Sequence, residues 1–220
     1  MRVWNAPNAR AFRNRHEAGV ALADLLQGYA RRHDVVVLAL PRGGVPVAYQ
    51  VATALHVPLD VFCVRKLGVP GHRELAMGAI ASGGVQVLND DVLSWYQPSA
   101  QTVDAVARAE MRELERREQL YREGRPLVLV EGRTAILVDD GLATGSTMRA
   151  AVQAVRQLRA RAVVVAVPVG AADTCEAMRR VADDVVCAMA PTQFMAVGAW
   201  YEDFSETSDD EVRTLLKEVR

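Results

Sequence analysis

Short runs of apolar residues alternate with segments of helical periodicity through most of the chain, and the two patterns predict different elements. Val35-Val36-Val37-Leu38-Ala39-Leu40 is continuous, rich in β-branched residues and closed by Pro41, which predicts a strand buried on both faces. Pro41-Arg42-Gly43-Gly44 breaks the run, and Val45, Ala48, Ala52 and Leu55 then recur at helical spacing. Leu59 to Val64 predicts a second strand, ending in Arg65-Lys66. A strand–loop–helix–strand unit of this kind requires a right-handed crossover and parallel strands.

The rhythm changes over 67–93. Gly68, Pro70 and Gly71 mark an irregular loop over 67–77, and two short apolar runs around Ser82-Gly83-Gly84 predict a hairpin. From Pro98 to Arg125, the spacing of Val103, Ala107, Met111, Leu114 and Tyr121 predicts a helix. Residues 108–125 add six arginines and five glutamates, with Glu113–Arg117 and Glu118–Arg122 at i,i+4. Alternating signs favour a solvated face over a basic grip on RNA.

The α/β alternation then resumes. Ala135 to Val138 predicts a strand, and Met148, Ala151, Val152, Val155 and Leu158 predict a helix face. Val163 to Val167 predicts a strand cut by Pro168, Asp173 with Glu176 a helix start, and Val185 to Met189 a further strand. Ser208-Asp209-Asp210-Glu211 has capping-box spacing before a last helix that buries Val212, Leu215, Leu216 and Val219. The expected fold is α/β with a doubly wound, mainly parallel sheet.

At 220 residues and half apolar, the chain predicts one domain with a well-buried core, taking about 150 residues per domain as the prior. Its 26 basic and 27 acidic residues give a net charge of −1, so neither nucleic acid nor an anionic membrane is expected as the main partner. No apolar run approaches the roughly 20 residues that span a bilayer, and Met1-Arg2-Val3-Trp4-Asn5-Ala6-Pro7 lacks the apolar stretch of a secretory signal. Cys63, Cys175 and Cys187 are far apart and odd in number, which suggests neither a disulfide framework nor a metal knuckle. The expectation is a soluble protein of the reducing cytoplasm.

Ligands of such a sheet sit beyond the carboxyl ends of its strands. Ala135-Ile136-Leu137-Val138-Asp139-Asp140-Gly141-Leu142-Ala143-Thr144-Gly145-Ser146-Thr147 runs a strand into two adjacent carboxylates and then into a small, hydroxyl-rich loop that opens a helix. Loop amides and the positive end of a helix dipole make a phosphate cradle. Gly145 allows close backbone approach, and Thr144, Ser146 and Thr147 add hydroxyls. Carboxylates do nothing for phosphate itself, but they suit a ligand that also carries vicinal hydroxyls. The spacing points to a sugar phosphate; an Asp-Gly turn before a capped helix is the plainer alternative.

This segment resembles the phosphoribosyl-pyrophosphate signature of type I phosphoribosyltransferases at every position of 135–147. The resemblance implies that Asp139 and Asp140 bind the ribose hydroxyls and that Gly141, Ala143, Thr144, Gly145, Ser146 and Thr147 surround the 5-phosphate. Pro41-Arg42-Gly43-Gly44 looks like the family's pyrophosphate loop, and Arg65-Lys66 falls where the family places basic residues toward the pyrophosphate. The family's mobile loop falls on 67–77, making His72, Arg73 and Glu74 its candidate side chains. Residues 191–204 look like the base-recognition segment of 6-oxopurine phosphoribosyltransferases, with Phe194 and Trp200 toward the base and Asp203 toward a metal or pyrophosphate. Gln193 stands where that family commonly has lysine. The expected organisation is a single domain over 1–220, with a core over 33–190 and a small hood from 1–32 and 191–207, Phe12-Arg13-Asn14-Arg15 packing beside the base segment.

The implied activity is transfer of ribose 5-phosphate from phosphoribosyl pyrophosphate to a nitrogenous, purine-like base, with release of pyrophosphate. Mg²⁺ is the implied cofactor, with Asp139, Asp140 and Asp203 as its candidate ligands and Asp139, Asp140 and Lys66 as the catalytic candidates. A homodimer is left open. One rival is a regulator that senses phosphoribosyl pyrophosphate or a nucleotide and acts through a partner such as RNA, with the 98–125 helix as its contact. Another is a signalling receiver whose paired acids bind Mg²⁺, although no further isolated aspartate ends another core strand.

Overall fold

The structure is a computed structural model that describes residues 11–219, the side chains of Arg73 and Glu74 excepted. Residues 1–10 of the expected hood and those two loop candidates therefore lie outside the described parts. In chain order the elements are α1 (Arg15–Leu25), β1 (Val35–Ala39), α2 (Gly44–Leu55), β2 (Leu59–Val61), β3 (Val64–Val69), β4 (His72–Ala81) and β5 (Val85–Leu88). They continue as α3 (Asp90–Tyr96), α4 (Ala100–Arg122), β6 (Thr134–Val138), α5 (Ser146–Gln157), β7 (Ala162–Val169), α6 (Ala172–Met178), β8 (Asp184–Met189) and α7 (Asp209–Glu218).

Five strands form a parallel sheet in the order β2-β1-β6-β7-β8. Every residue of β1 and β6 is buried, so continuous apolar runs form these strands where an alternating pattern would not suffice. Successive side chains then serve two cores. Val35, Val37, Ala39, Ile136 and Val138 face a core shared with residues of α1, α2, α4 and α7. Val36, Leu38, Ala135 and Leu137 face a second core closed by α5 and α6. This is the expected doubly wound architecture, mostly parallel with helices on both faces. None of the described helices is long and apolar enough to cross a membrane.

The structure corrects the sequence reading in three places. The run from Leu59 to Val64 is not one strand. The chain leaves the parallel sheet at Phe62, and Cys63 donates its N–H to Ser82 Oγ at 2.8 Å while its carbonyl accepts from Ser82 N. Arg65 and Lys66 therefore belong to β3, in a separate antiparallel sheet of order β3-β4-β5. Both strands bury apolar side chains, so hydrophobicity alone carries no signal of the switch. The stretch over 67–77 is likewise a hairpin, because Leu67, Val69 and Met77 are buried anchors; its irregular parts are the turn at Pro70-Gly71 and the register shifts either side of Gly68. Finally, Pro168 does not cut β7: the ladder continues beyond it at Val169 opposite Met189.

The second sheet is fastened to the first by a buried charge cluster. Arg122 of α4 donates to Asp60 of β2 at 3.0 Å, to the Val61 carbonyl at 2.7 Å and to Ser82 Oγ at 3.3 Å, and it pairs with Glu118 at 2.8 Å. The i,i+4 pairs read from the sequence of α4 are both formed, Glu113 with Arg117 and Glu118 with Arg122.

Candidate active site

The order of the parallel strands reverses between β1 and β6, so the loops leaving their carboxyl ends diverge and open a crevice there. Ala39 pairs with Val138, and Leu40 N donates to the Val138 carbonyl at 2.9 Å, which brings Pro41–Gly44 against Asp139 and Asp140. The contact requires glycine. A Cβ at Gly43 would overlap Oδ2 of Asp140 and sit 2.8 Å from its Cγ. One at Gly44 would sit 2.7 Å from the Val138 carbonyl.

The acid pair is half-buried and asymmetric. Oδ2 of Asp140 accepts from Nε and Nη2 of Arg15, each at 2.9 Å, and the Asp140 carbonyl accepts from the Tyr201 hydroxyl at 2.6 Å. Asp139 has no such cation among the described residues and uses Oδ1 to accept from Asp140 N at 2.9 Å. Burial, and next the neighbouring Asp140 charge, push the Asp139 carboxyl well above the ordinary range. Burial also raises Asp140, against the pull of Arg15. Burial likewise pushes the Tyr201 hydroxyl up, so it remains a donor.

Beyond the pair, the chain turns back under tight control. Leu142 bridges Gly170, and Thr174 Oγ1 donates to the Ala143 carbonyl at 2.7 Å. Gly145 has φ 72°, the left-handed conformation glycine favours, and lies against Met178 and Thr174 of α6. Among the described residues no side chain caps α5, which begins at Ser146. Ala143, Thr144 and Ser146 are exposed beside these uncapped amides, with the two hydroxyl oxygens 3.3 Å apart. A helix start of this kind is ready to receive an anion.

The other candidates divide. Arg42 stands at the crevice but is paired with Glu206 and, at 3.8 Å, with Asp209. Lys66 lines a cavity of 530 Å³ between the second sheet and α5, together with Ser146, Arg149 and Gln153. Arg65 is drawn away by Glu110 of α4 at 2.5 Å. His72 is exposed and lies edge-on to Tyr96, with centroids 6.5 Å apart. Phe194 and Trp200 are half-buried against a cluster containing Phe12 and Tyr201. Asp203 spends its carboxylate on Ser205 N at 2.9 Å, and among the described residues no three His, Cys, Asp or Glu side chains gather as a metal cage. The expected set of three acids is therefore not assembled.

Phe12 pairs with Tyr201: Phe12 N donates to the Trp200 carbonyl at 2.9 Å, and Glu202 N to the Phe12 carbonyl at 2.8 Å. Sequence reasoning missed the parts this pairing delivers to the acids. Arg15 and Tyr201 meet at Asp140, with the Arg15 guanidinium 4.0 Å from the Phe204 ring centroid. The only signal was the position of Arg15, one residue after a helix-capping asparagine; its partner lies 125 residues away.

A family model described as a phosphoribosyl transferase domain matches residues 13–199. Two curated proteins of Mycobacterium tuberculosis, from strains H37Rv and CDC 1551, are each 49% identical over 207 residues; both carry only a provisional designation as a phosphoribosyl transferase. The match covers 94% of this chain and 46% of each relative, so the chain spans about half their length. The crystal structure of TT1426 from Thermus thermophilus superposes with a TM-score of 0.84 at 42% identity, over 94% of this chain and 98% of that one. With its strand order, its paired acids and its uncapped helix start in one crevice, the chain belongs to the phosphoribosyl transferase family.

Proposed function

We propose that this crevice binds phosphoribosyl pyrophosphate and transfers its ribose 5-phosphate to a nitrogenous, purine-like base. One observation carries the reading: two adjacent carboxylates and an uncapped helix start leave the same strand end, one suited to a diol and the other to a phosphate. In this reading Asp139 and Asp140 accept hydrogen bonds from the ribose hydroxyls, and the backbone over 143–147 holds the 5-phosphate. Gly43 offers its amide to the pyrophosphate beside Gly44, whose own N–H is taken by the Leu40 carbonyl at 3.1 Å, and Arg42 turns to it from Glu206. Lys66 approaches from β3.

The acceptor nitrogen forms a bond to the anomeric carbon while the bond to the pyrophosphate oxygen breaks; the electron pair leaves with pyrophosphate, and the proton of the acceptor nitrogen passes to solvent. Fixed positive groups stabilise the leaving charge. Asp139 and Asp140 hold the ring and face the positive charge that grows on it. The hood from Phe12 and 191–207 lies over the acceptor, with Phe194 and Trp200 as its apolar surface. The pair also fits Mg²⁺, which is commonly held by one or two carboxylates together with substrate oxygens. Asp139, through the oxygen its bond from Asp140 N leaves available, would hold it together with substrate oxygens, and when bound it supplies positive charge to the site. Three free cysteines agree with a reducing compartment such as the cytoplasm.

The test is pyrophosphate release from phosphoribosyl pyrophosphate with a panel of purine and pyrimidine bases. Release with a purine base is expected. Binding without release from any base would make the protein a sensor, and no binding would remove the reading altogether.

A further inference from the structure

Arg15 opens α1, directly after Asn14, whose side chain caps the helix by accepting from Glu17 N. The helix has little freedom to move. A Cβ at Gly19 would lie 2.8 Å from both Gln50 Cβ and the Val47 carbonyl, so the backbone of α1 is pressed directly onto α2. The Arg15 side chain is only 12% exposed, and each of its surfaces is used. Nε and Nη2 converge on Oδ2 of Asp140 at 2.9 Å, and Nη1 donates to the Ser205 carbonyl at 2.7 Å. The flat face lies on Phe204.

Asp140 is held from the other side as well. Its Oδ2 occupies the space a Cβ of Gly43 would need, and Arg15 Nε would be 3.2 Å from that same position. Three segments distant in sequence, the start of α1, the end of β6 and the loop after β1, thus meet at one oxygen atom. The other oxygen, Oδ1, is the one Arg15 does not engage.

We propose that Arg15 is a positioning residue that fixes the orientation of Asp140, reserving Oδ2 for the protein and turning Oδ1 to a vicinal diol, so that the site selects ribose over a sugar lacking the 2-hydroxyl. The proposal rests on the sugar-phosphate reading above. Only a planar guanidinium serves here. A lysine ammonium keeps the charge but cannot reach the carboxylate and the Ser205 carbonyl in a fixed geometry while lying flat on a ring. The same guanidinium ties the C-terminal segment to the acid, so ordering of residues 204–205 and orientation of Asp140 are one event.

The experiment compares wild type with Arg15→Lys and Arg15→Ala by calorimetry, using ribose 5-phosphate, 2-deoxyribose 5-phosphate and inorganic phosphate as probes. Wild type is expected to prefer ribose 5-phosphate. In both variants that preference should shrink by about tenfold or more, since small errors in positioning have large effects, while affinity for inorganic phosphate stays unchanged. Added guanidinium ion should restore part of the preference to Arg15→Ala and none to Arg15→Lys. Arg15→Lys retains the charge and the aliphatic stem, so the test survives if Arg15→Ala does not fold. A wild-type preference that persists in Arg15→Lys overturns the proposal and leaves the sugar-phosphate reading standing. Wild type that binds neither sugar phosphate nor phosphoribosyl pyrophosphate overturns both.

Discussion

Gly43 and Asp140 share one space: the position a side chain would take on Gly43 is filled by the Asp140 carboxylate. Gly43 itself has φ −59° and ψ −29°, a conformation open to any residue. Glycine is needed there for its missing Cβ and for nothing about its backbone. Gly43→Ala therefore isolates the contact. It should cost about 1–3 kcal/mol of stability through overpacking and weaken phosphoribosyl pyrophosphate binding by roughly tenfold or more as Asp140 is displaced. Urea denaturation and calorimetry measure the two effects, and an alanine variant that binds as wild type would separate Asp140 from the ligand.

The raised carboxyls of Asp139 and Asp140 have a defined pH signature. Both hold protons more tightly in the folded chain than in the unfolded one, so the native state binds more protons and stability falls as pH rises. The fall begins in the ordinary carboxylate range and continues upward to the native values. Asp139→Asn removes the larger contribution, so its melting temperature should exceed that of wild type at neutral pH and vary less with pH. The same variant should bind phosphoribosyl pyrophosphate poorly. A melting profile that parallels wild type across the range would contradict the burial of Asp139.

Phosphate binding can be tested at Gly145. Alanine there faces both a left-handed backbone and Met178 Cε at 2.7 Å, a combined strain of about 1–3 kcal/mol. Inorganic phosphate should raise the melting temperature of wild type more than that of Gly145→Ala, and less at high salt. If phosphate leaves wild type unmoved, the helix start is not an anion site.

The Arg122–Asp60 pair carries a structural prediction. Its side chains are 6% and 12% exposed, and Asp60 also accepts from Val128 N at 2.9 Å. Arg122→Ala strands a buried carboxylate and should destabilise the chain by about 3–5 kcal/mol. A urea midpoint close to wild type would mean that water reaches Asp60.

The parallel sheet was legible because buried strands need unbroken apolar runs, and β1 and β6 supply them. The acid pair and the small-residue loop were legible because they are contiguous in sequence and follow a strand. The switch at Phe62 was not, since leaving one sheet for another preserves the apolar pattern and is decided by the partnership of Cys63 with Ser82. Arg15 was recognised only as part of the hood. Its function depends on a contact across the fold, and its neighbours Asn14 and Glu17 account for it locally as an ordinary helix start. The ion pair of Arg65 was hidden for the same reason, its carboxylate partner coming from α4.

All five parallel strands point the same way, so the rim at which they begin is remote from the rim at which they finish. At the starting rim Asp34 gathers Arg32 and Arg161, and Arg161 also donates to Thr134 Oγ1 at 3.1 Å. No residue assigned here to sugar, phosphate or base stands among them. A reporter grafted there, or a bead attached there, leaves the crevice facing open solvent, and a tethered form of the protein should titrate like the free one.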